Sequence, residues 1–288
     1  MTAPPARPKR ALVLTHRRAE ETRSAFPPLY AAAAKAGWEL WFDEEETRRH
    51  ELTPREGVVI NADPDGEVDV CVVLGGDGTI LSALRRYAGT GVPVFAVNFG
   101  AVGFLATIEP SEMEQDFGRA FGGEYEGLQL PSVAVTGPRG RLQAINDVSI
   151  HRKVGERVAV LAYVIEGEEV GSVRCDGVVV ATPAGSTGYN LANGGPVLAW
   201  GVEGFVVSFI APHSLTARAL VVAPNDTLTI ENRSTDAVDV IIDGRPVWEL
   251  AAGDSLAATF HRDVAALAQV PGSTFYRRLQ EKFGRLSS

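Results

Sequence analysis

Apolar positions follow two regimes along the chain. Up to about residue 130, short apolar runs alternate with helix-compatible stretches. Residues 11–15, 39–42, 68–74 and 92–97 read as strands, the third interrupted only by Asp69. Between them, the alanine-rich segment 20–37 reads as a helix, with Pro27-Pro28 marking its start or a break. Residues 79–87 and 111–121 read as further helices, the last with Ser111 as its expected N-cap. The acidic run 43–46 reads as a solvated loop or a helix start. Strands alternating with helices predict βαβ units and a parallel sheet.

From Pro131 to about Val270 the pattern becomes closely spaced strands: 132–136, 144–150, 158–165, 178–182, 205–210, 227–230, 238–242 and 256–260. Gly167, Asn225-Asp226 and Asp243-Gly244 supply turns between them. This predicts an all-β second domain. In the last stretch, 273–286, Phe275, Leu279 and Phe283 recur at four-residue spacing with Arg and Lys between them, an amphipathic terminal helix. The expected division is therefore an α/β domain over 1–130, completed by 271–288, and a β-rich domain over 131–270.

Composition narrows the class. The 288 residues are 45% hydrophobic and 22% charged, which excludes a disordered chain, a collagen-like repeat and a coiled coil. Lys and Arg total 27 against 36 Asp and Glu, a net charge of -9, so no basic stripe is available for nucleic acid. No apolar stretch reaches the ~18 residues of a membrane span. The apolar run 11–14 is too short for a signal-peptide core, and a soluble cytoplasmic protein is expected. Two cysteines, Cys71 and Cys175, cannot build a disulfide framework or a four-ligand zinc site, and both sit in apolar runs as small buried hydrophobes.

Chemistry concentrates in three glycine-rich segments. The strand 68–74 runs into Gly75-Gly76-Asp77-Gly78-Thr79 and then a helix, the position where a parallel sheet offers backbone amides and a helix N-terminus to phosphate. No Walker Gly-Lys-Ser/Thr follows. A carboxylate among such glycines repels phosphate unless it binds a metal or takes a proton. The next strand leads to Asn98-Phe99-Gly100-Ala101-Val102-Gly103-Phe104-Leu105, expected at the same sheet edge. The third segment runs from Asp176-Gly177 to Thr182-Pro183-Ala184-Gly185-Ser186-Thr187-Gly188-Tyr189-Asn190 and Asn193-Gly194-Gly195-Pro196. Its spacing is wrong for a nucleophile elbow.

With Asn146-Asp147, Pro212-His213-Ser214-Leu215, Arg218 and Asp243-Gly244, these ordered motifs resemble the bacterial NAD kinases over nearly the whole chain. The Gly-Gly-Asp-Gly element alone is shared with phosphofructokinases and with diacylglycerol or sphingosine kinases. The resemblance implies a Rossmann-like first domain with the terminal helix returning to it, a β-rich NAD-binding domain, and homodimers or homotetramers. It implies transfer of the γ-phosphoryl group of ATP to the 2′-hydroxyl of the adenosine ribose of NAD. Asp77 would be the general base. Gly75, Gly76, Thr79, Asn98, Gly100, Gly103 and Arg218 would serve ATP phosphates. Gly78, Phe104, Asn146, Asp147, Asp176, Thr187, Gly188, Tyr189 and Asp243 would line the NAD site. Mg²⁺ would ride on the ATP phosphates, with no protein metal ligand assigned.

Four positions depart from the family pattern. Asp147 replaces the usual Glu, Ala184 lacks a hydroxyl, Gly188 replaces Ala, and Ala219 replaces the Pro after Arg218. A non-catalytic NAD-binding relative, or a lipid or sugar kinase of the same superfamily, are the alternatives. The motifs are compatible with ATP or inorganic polyphosphate as donor and with NAD or NADH as acceptor.

Overall fold

The computed structural model describes residues 7–100, 103–106, 108–272 and 274–284. The ends of the expected terminal helix, at residues 273 and 285–286, and Ala101-Val102 of the second glycine loop lie outside them. The chain divides into two compact units: unit 1 is residues 1–128 with 265–288, and unit 2 is residues 129–264.

Unit 1 begins with β1 (Lys9–Thr15), α1 (Ala19–Thr22), α2 (Phe26–Ala36), β2 (Trp38–Trp41), α3 (Glu44–Arg49) and β3 (Val58–Val59). It continues with β4 (Val70–Gly75), α4 (Asp77–Arg86), β5 (Pro93–Asn98) and α5 (Met113–Gly122). The proline pair occupies the first turn of α2, where a missing N–H costs nothing, and Gly37 ends that helix at φ 71°. The acidic run 43–46 is a helix start: the Asp43 side chain accepts the Glu46 amide at 2.9 Å and caps α3. Ser111 is not a cap, because it falls inside a 3-10 turn, Pro110–Glu112, that winds into α5 without a side-chain cap at either start.

Unit 2 contains β6 (Glu126–Gly137, entering from unit 1), β7 (Gly140–Ala144), β8 (Asp147–Arg152), β9 (Ala159–Ile165), β10 (Glu168–Cys175) and β11 (Gly177–Ala181). After the short helix α6 (Tyr189–Ala192) come β12 (Phe205–Ile210), β13 (Leu220–Val222), β14 (Leu228–Asn232), β15 (Val238–Ile242), β16 (Arg245–Leu250) and β17 (Ser255–Gln269). The chain closes with α7 (Phe275–Phe283) in unit 1.

In unit 1 the strands run in the order β5-β4-β1-β2-β3, all parallel, with the end of β17 alongside β5. The chain builds outward from β1 through β2 and β3, then returns to the other side of β1 as β4. The carboxyl ends of β1 and β4 thus flank a topological switch point, the usual binding crevice of an open α/β sheet. Unbroken apolar β4 is buried throughout, as a central parallel strand must be. Val70, Val72 and Leu74 pack with Ala11, Val13, Phe95 and Phe117 in the core.

Unit 2 is antiparallel. One sheet orders β10-β9-β14-β17, with the β6–β7 hairpin joined to β17; the other orders β13-β12-β11-β8-β15-β16. Alternate residues of both enclose one core, including Val133, Val148, Ile150, Leu161, Val178, Phe205, Ile230 and Leu256. Strands β7, β10, β13 and β16 escape the sequence reading. β7 and β10 are mostly exposed, and β10, β13 and β16 are sheet edges, so little of their pattern is written by burial. No described helix is long and apolar enough to cross a membrane.

Candidate active site

In unit 1, α4 starts at Asp77 itself, two residues before the start read from the pattern, with extended Gly76 as its N-cap. The Asp77 and Gly78 amides therefore lie in a first turn that lacks intrahelical acceptors. The Asp77 carboxylate faces the second glycine loop: Phe104 N donates to its Oδ2 at 2.8 Å and Leu105 N to its Oδ1 at 3.1 Å. Burial pushes the Asp77 carboxyl above its ordinary value. The amides of Phe104, Leu105 and Ala106 and the Lys282 charge pull it back down. Two amide bonds leave lone pairs on both oxygens for a proton.

Glycines are required where the two loops meet. A Cβ on Gly100 would lie 2.9 Å from the Gly76 Cα, and one on Gly103 would lie 3.2 Å from Asp77 Oδ1. At Gly75 a Cβ would meet the Thr79 Oγ1 at 2.8 Å, so Thr79 packs under the loop. Asn98 is buried and organises the second loop, accepting the Gly100 amide at 3.1 Å and donating to Glu109 at 3.4 Å. The Phe104 ring is buried against Phe275 and Phe283 of α7, with centroids 5.6 and 6.2 Å away.

In unit 2 a second cluster forms around residues 145–147. Asp243 sits at φ 47° and Gly244 at φ 75° in the β15–β16 turn, the left-handed pair that a tight hairpin needs. The Asp243 carboxylate accepts the amides of Ile145 (3.1 Å), Asn146 (2.8 Å) and Asp147 (3.1 Å). Thr182 Oγ1 donates to the Ile145 carbonyl at 2.7 Å and accepts the Gly185 amide at 3.1 Å. A side chain on Gly185 would collide with the Asn146 carbonyl. Held in this way, Asn146 keeps a buried Oδ1 without a partner. Among the described residues the Asp147 carboxylate likewise accepts no hydrogen bond. Burial, and then the Asp243 charge, push it up to about 7.

Asp176 pairs with Arg152, whose Nε lies 2.6 Å from Oδ1. Thr187 donates to the Ala184 carbonyl at 3.2 Å, and Gly188 is exposed. The Tyr189 ring is partly exposed and stacks on His151 at 5.6 Å and 11°. His151, which also lies 2.9 Å from Ser149 Oγ, is absent from the sequence reading. Its signal was the period of two along β8, which puts Asp147, Ser149 and His151 on one face. Arg218, expected to clamp phosphate, instead donates to the carbonyls of Leu215 and Ala217 in its own loop, both at 2.8 Å. No group of three or more His, Cys, Asp or Glu able to hold a metal occurs among the described residues.

A helix first turn with free amides that begins with a half-buried carboxylate suits a kinase acting on a hydroxyl, because amides draw phosphate and a carboxylate can take a proton. Comparison with known proteins agrees. Residues 29–125 match the ATP-NAD kinase N-terminal domain and residues 145–262 the ATP-NAD kinase C-terminal domain. An NAD kinase of Gemmatimonas aurantiaca is 33% identical over 255 residues, 85% of this chain and 83% of that protein. The crystal structure of yeast NADH kinase complexed with NADH superposes with a TM-score of 0.87 at 22% identity, covering 100% of this chain and 94% of the other. An Archaeoglobus fulgidus NAD kinase in complex with ATP gives 0.71 at 24% identity, covering 96% and 98%. The chain belongs to the NAD kinase family and is a phosphotransferase.

Proposed function

We propose that the Asp77 carboxylate is the general base of an ATP-dependent NAD kinase. It takes the proton of the 2′-hydroxyl on the adenosine ribose of NAD as that oxygen attacks the γ-phosphorus of ATP. The bond from phosphorus to the bridging oxygen breaks, ADP leaves, and Asp77 passes its proton to water. The observation that carries this reading is the position of Asp77: first residue of α4 at the switch-point edge, half-buried, and fixed by the Phe104 and Leu105 amides. Burial raises the carboxyl and makes it a better base than an ordinary Asp, while the loop amides and Lys282 oppose the rise.

For NAD, the Asn146 Oδ1 and the Asp147 carboxylate are acceptors for its ribose hydroxyls and amide N–H groups. Asp176 and the Tyr189 ring serve its nicotinamide end, with Thr187 and Gly188 in the same wall. Asp243 acts indirectly, by pinning residues 145–147. ATP enters as its Mg²⁺ complex, the metal riding on the phosphates, and catalysis is mostly positioning and electrostatics. The related proteins captured with NADH and with ATP support these substrates. The family resemblance supports a cytoplasmic homodimer or homotetramer.

NADP formation from NAD, with ATP or polyphosphate as donor, tests the reading in the wild type and in Asp77→Asn. The variant is expected to lose about 10²-fold or more in turnover and to keep the wild-type melting temperature. Full turnover in Asp77→Asn removes the base from the mechanism.

A further inference from the structure

The loop that holds Asp77 is itself held from the other side. Arg278, in α7, is buried, and its Nη1 donates to the carbonyls of Phe104 at 2.9 Å and Leu105 at 3.3 Å. The amides of those same two residues donate to the Asp77 carboxylate. The guanidinium and the carboxylate therefore grip one short stretch of backbone from its two polar sides. The Phe104 ring, wedged between Phe275 and Phe283, fastens that stretch to the same helix. One turn beyond Arg278, Lys282 lines a cavity of about 340 Å³ together with Gly103 and Ala106, and it makes no ion pair or hydrogen bond among the described residues.

We propose that Arg278 is the positioning residue for Asp77: by holding the Phe104 and Leu105 carbonyls it keeps their amides aimed at the carboxylate, so that the terminal helix is a working part of the catalytic site. This rests on the reading of Asp77 as the general base. An arginine is suited to the task because one Nη carries two N–H donors, enough for both carbonyls, and the guanidinium stays charged when buried. Burial pushes Arg278 down to about 10 while the charges of Asp77 and Glu281 oppose the drop, so it remains a cation at neutral pH. The groups that act on Asp77 are then the three loop amides and, from α7, Arg278 and Lys282; Glu281 acts on Arg278. Loosening the amides removes what offsets burial, and the carboxyl rises further.

The test uses the full chain with Arg278→Lys, Arg278→Met and Asp77→Asn. In both Arg278 variants the kcat for NADP formation is expected to fall about 10-fold or more, as for a catalytic group displaced by a fraction of an ångström. KM for NAD should stay within about two-fold, since the interaction lost acts on the reaction step. The acid limb of the kcat–pH profile should move to higher pH. Arg278→Lys is the decisive variant, because it keeps the charge and loses the planar guanidinium whose Nη1 reaches both carbonyls, and its melting temperature reports whether it folds. Wild-type kcat and acid limb in Arg278→Lys, or a raised KM with kcat retained, overturn the inference. Full turnover in Asp77→Asn sinks the general-base reading instead. An inactive Asp77→Asn beside a fully active Arg278→Lys sinks only the role of Arg278.

Discussion

Two half-buried aspartates show how the same side chain acquires different chemistry from its neighbours. Asp77 has amides and a lysine facing it, whereas Asp147 has the Asp243 charge nearby and accepts no hydrogen bond among the described residues. The second arrangement has a consequence for stability. Asp147 rises from 3.8 to about 7 on folding, so between those values the folded chain holds a proton that the unfolded chain has released. The stabilising contribution is complete below 3.8 and is lost as pH rises through 7. Asp147→Asn removes the charge without removing the shape. It is therefore expected to melt higher than the wild type at pH 8, by about 3 °C or more, and level with it near pH 4. Melting curves across that range check this, and a lower melting point at pH 8 contradicts it. Asp77 was legible in the sequence because its glycines are adjacent to it. The effect of Asp243 on Asp147 was not, because those residues meet across 96 positions of chain.

Elements meet at their ends here, and glycine decides how closely. The loops after β4 and β5 approach until Gly76 and Gly100 are in backbone contact. Gly100→Ala puts a Cβ 2.9 Å from the Gly76 Cα, and backbone cannot give way as a flexible side chain can. The expected result is a loss of about 10- to 100-fold in kcat/KM from misplacement of the Asp77 loop. Gly118→Ala in α5, where a Cβ meets nothing within 4 Å, should be neutral or slightly stabilising and serves as the control. Equal activity of the two variants would show that the approach of the loops is not needed. At this scale the buried strands were the most legible, since β4, β11 and β12 face protein on both sides and are apolar throughout or nearly so. Edge strands β10 and β16 have one neighbour and an exposed side, so partner and register, not hydrophobicity, define them.

Over the whole molecule, the net charge of -9 opposes anionic substrates while the site attracts them locally. Raising salt from ~10 to ~100 mM shortens the screening length from about 30 to about 10 Å. That suppresses the long-range repulsion more than the short-range attraction. kcat/KM for NAD is therefore expected to rise, by up to about two-fold, over that interval. A steep fall would show that local cations dominate at long range as well. The sequence by itself determined the two regimes of secondary structure and the glycine loops with Asp77 among them. Those features are written in contiguous residues, because strand period, helix start and loop chemistry are local. The tertiary structure alone decided that Arg278 and Phe104 lock the Asp77 loop to the terminal helix, that Asp243 pins residues 145–147, and that Arg218 turns back onto its own loop. Each of these depends on which distant backbone groups arrive within hydrogen-bond reach, and that is fixed by packing the elements together, not by any one stretch of chain.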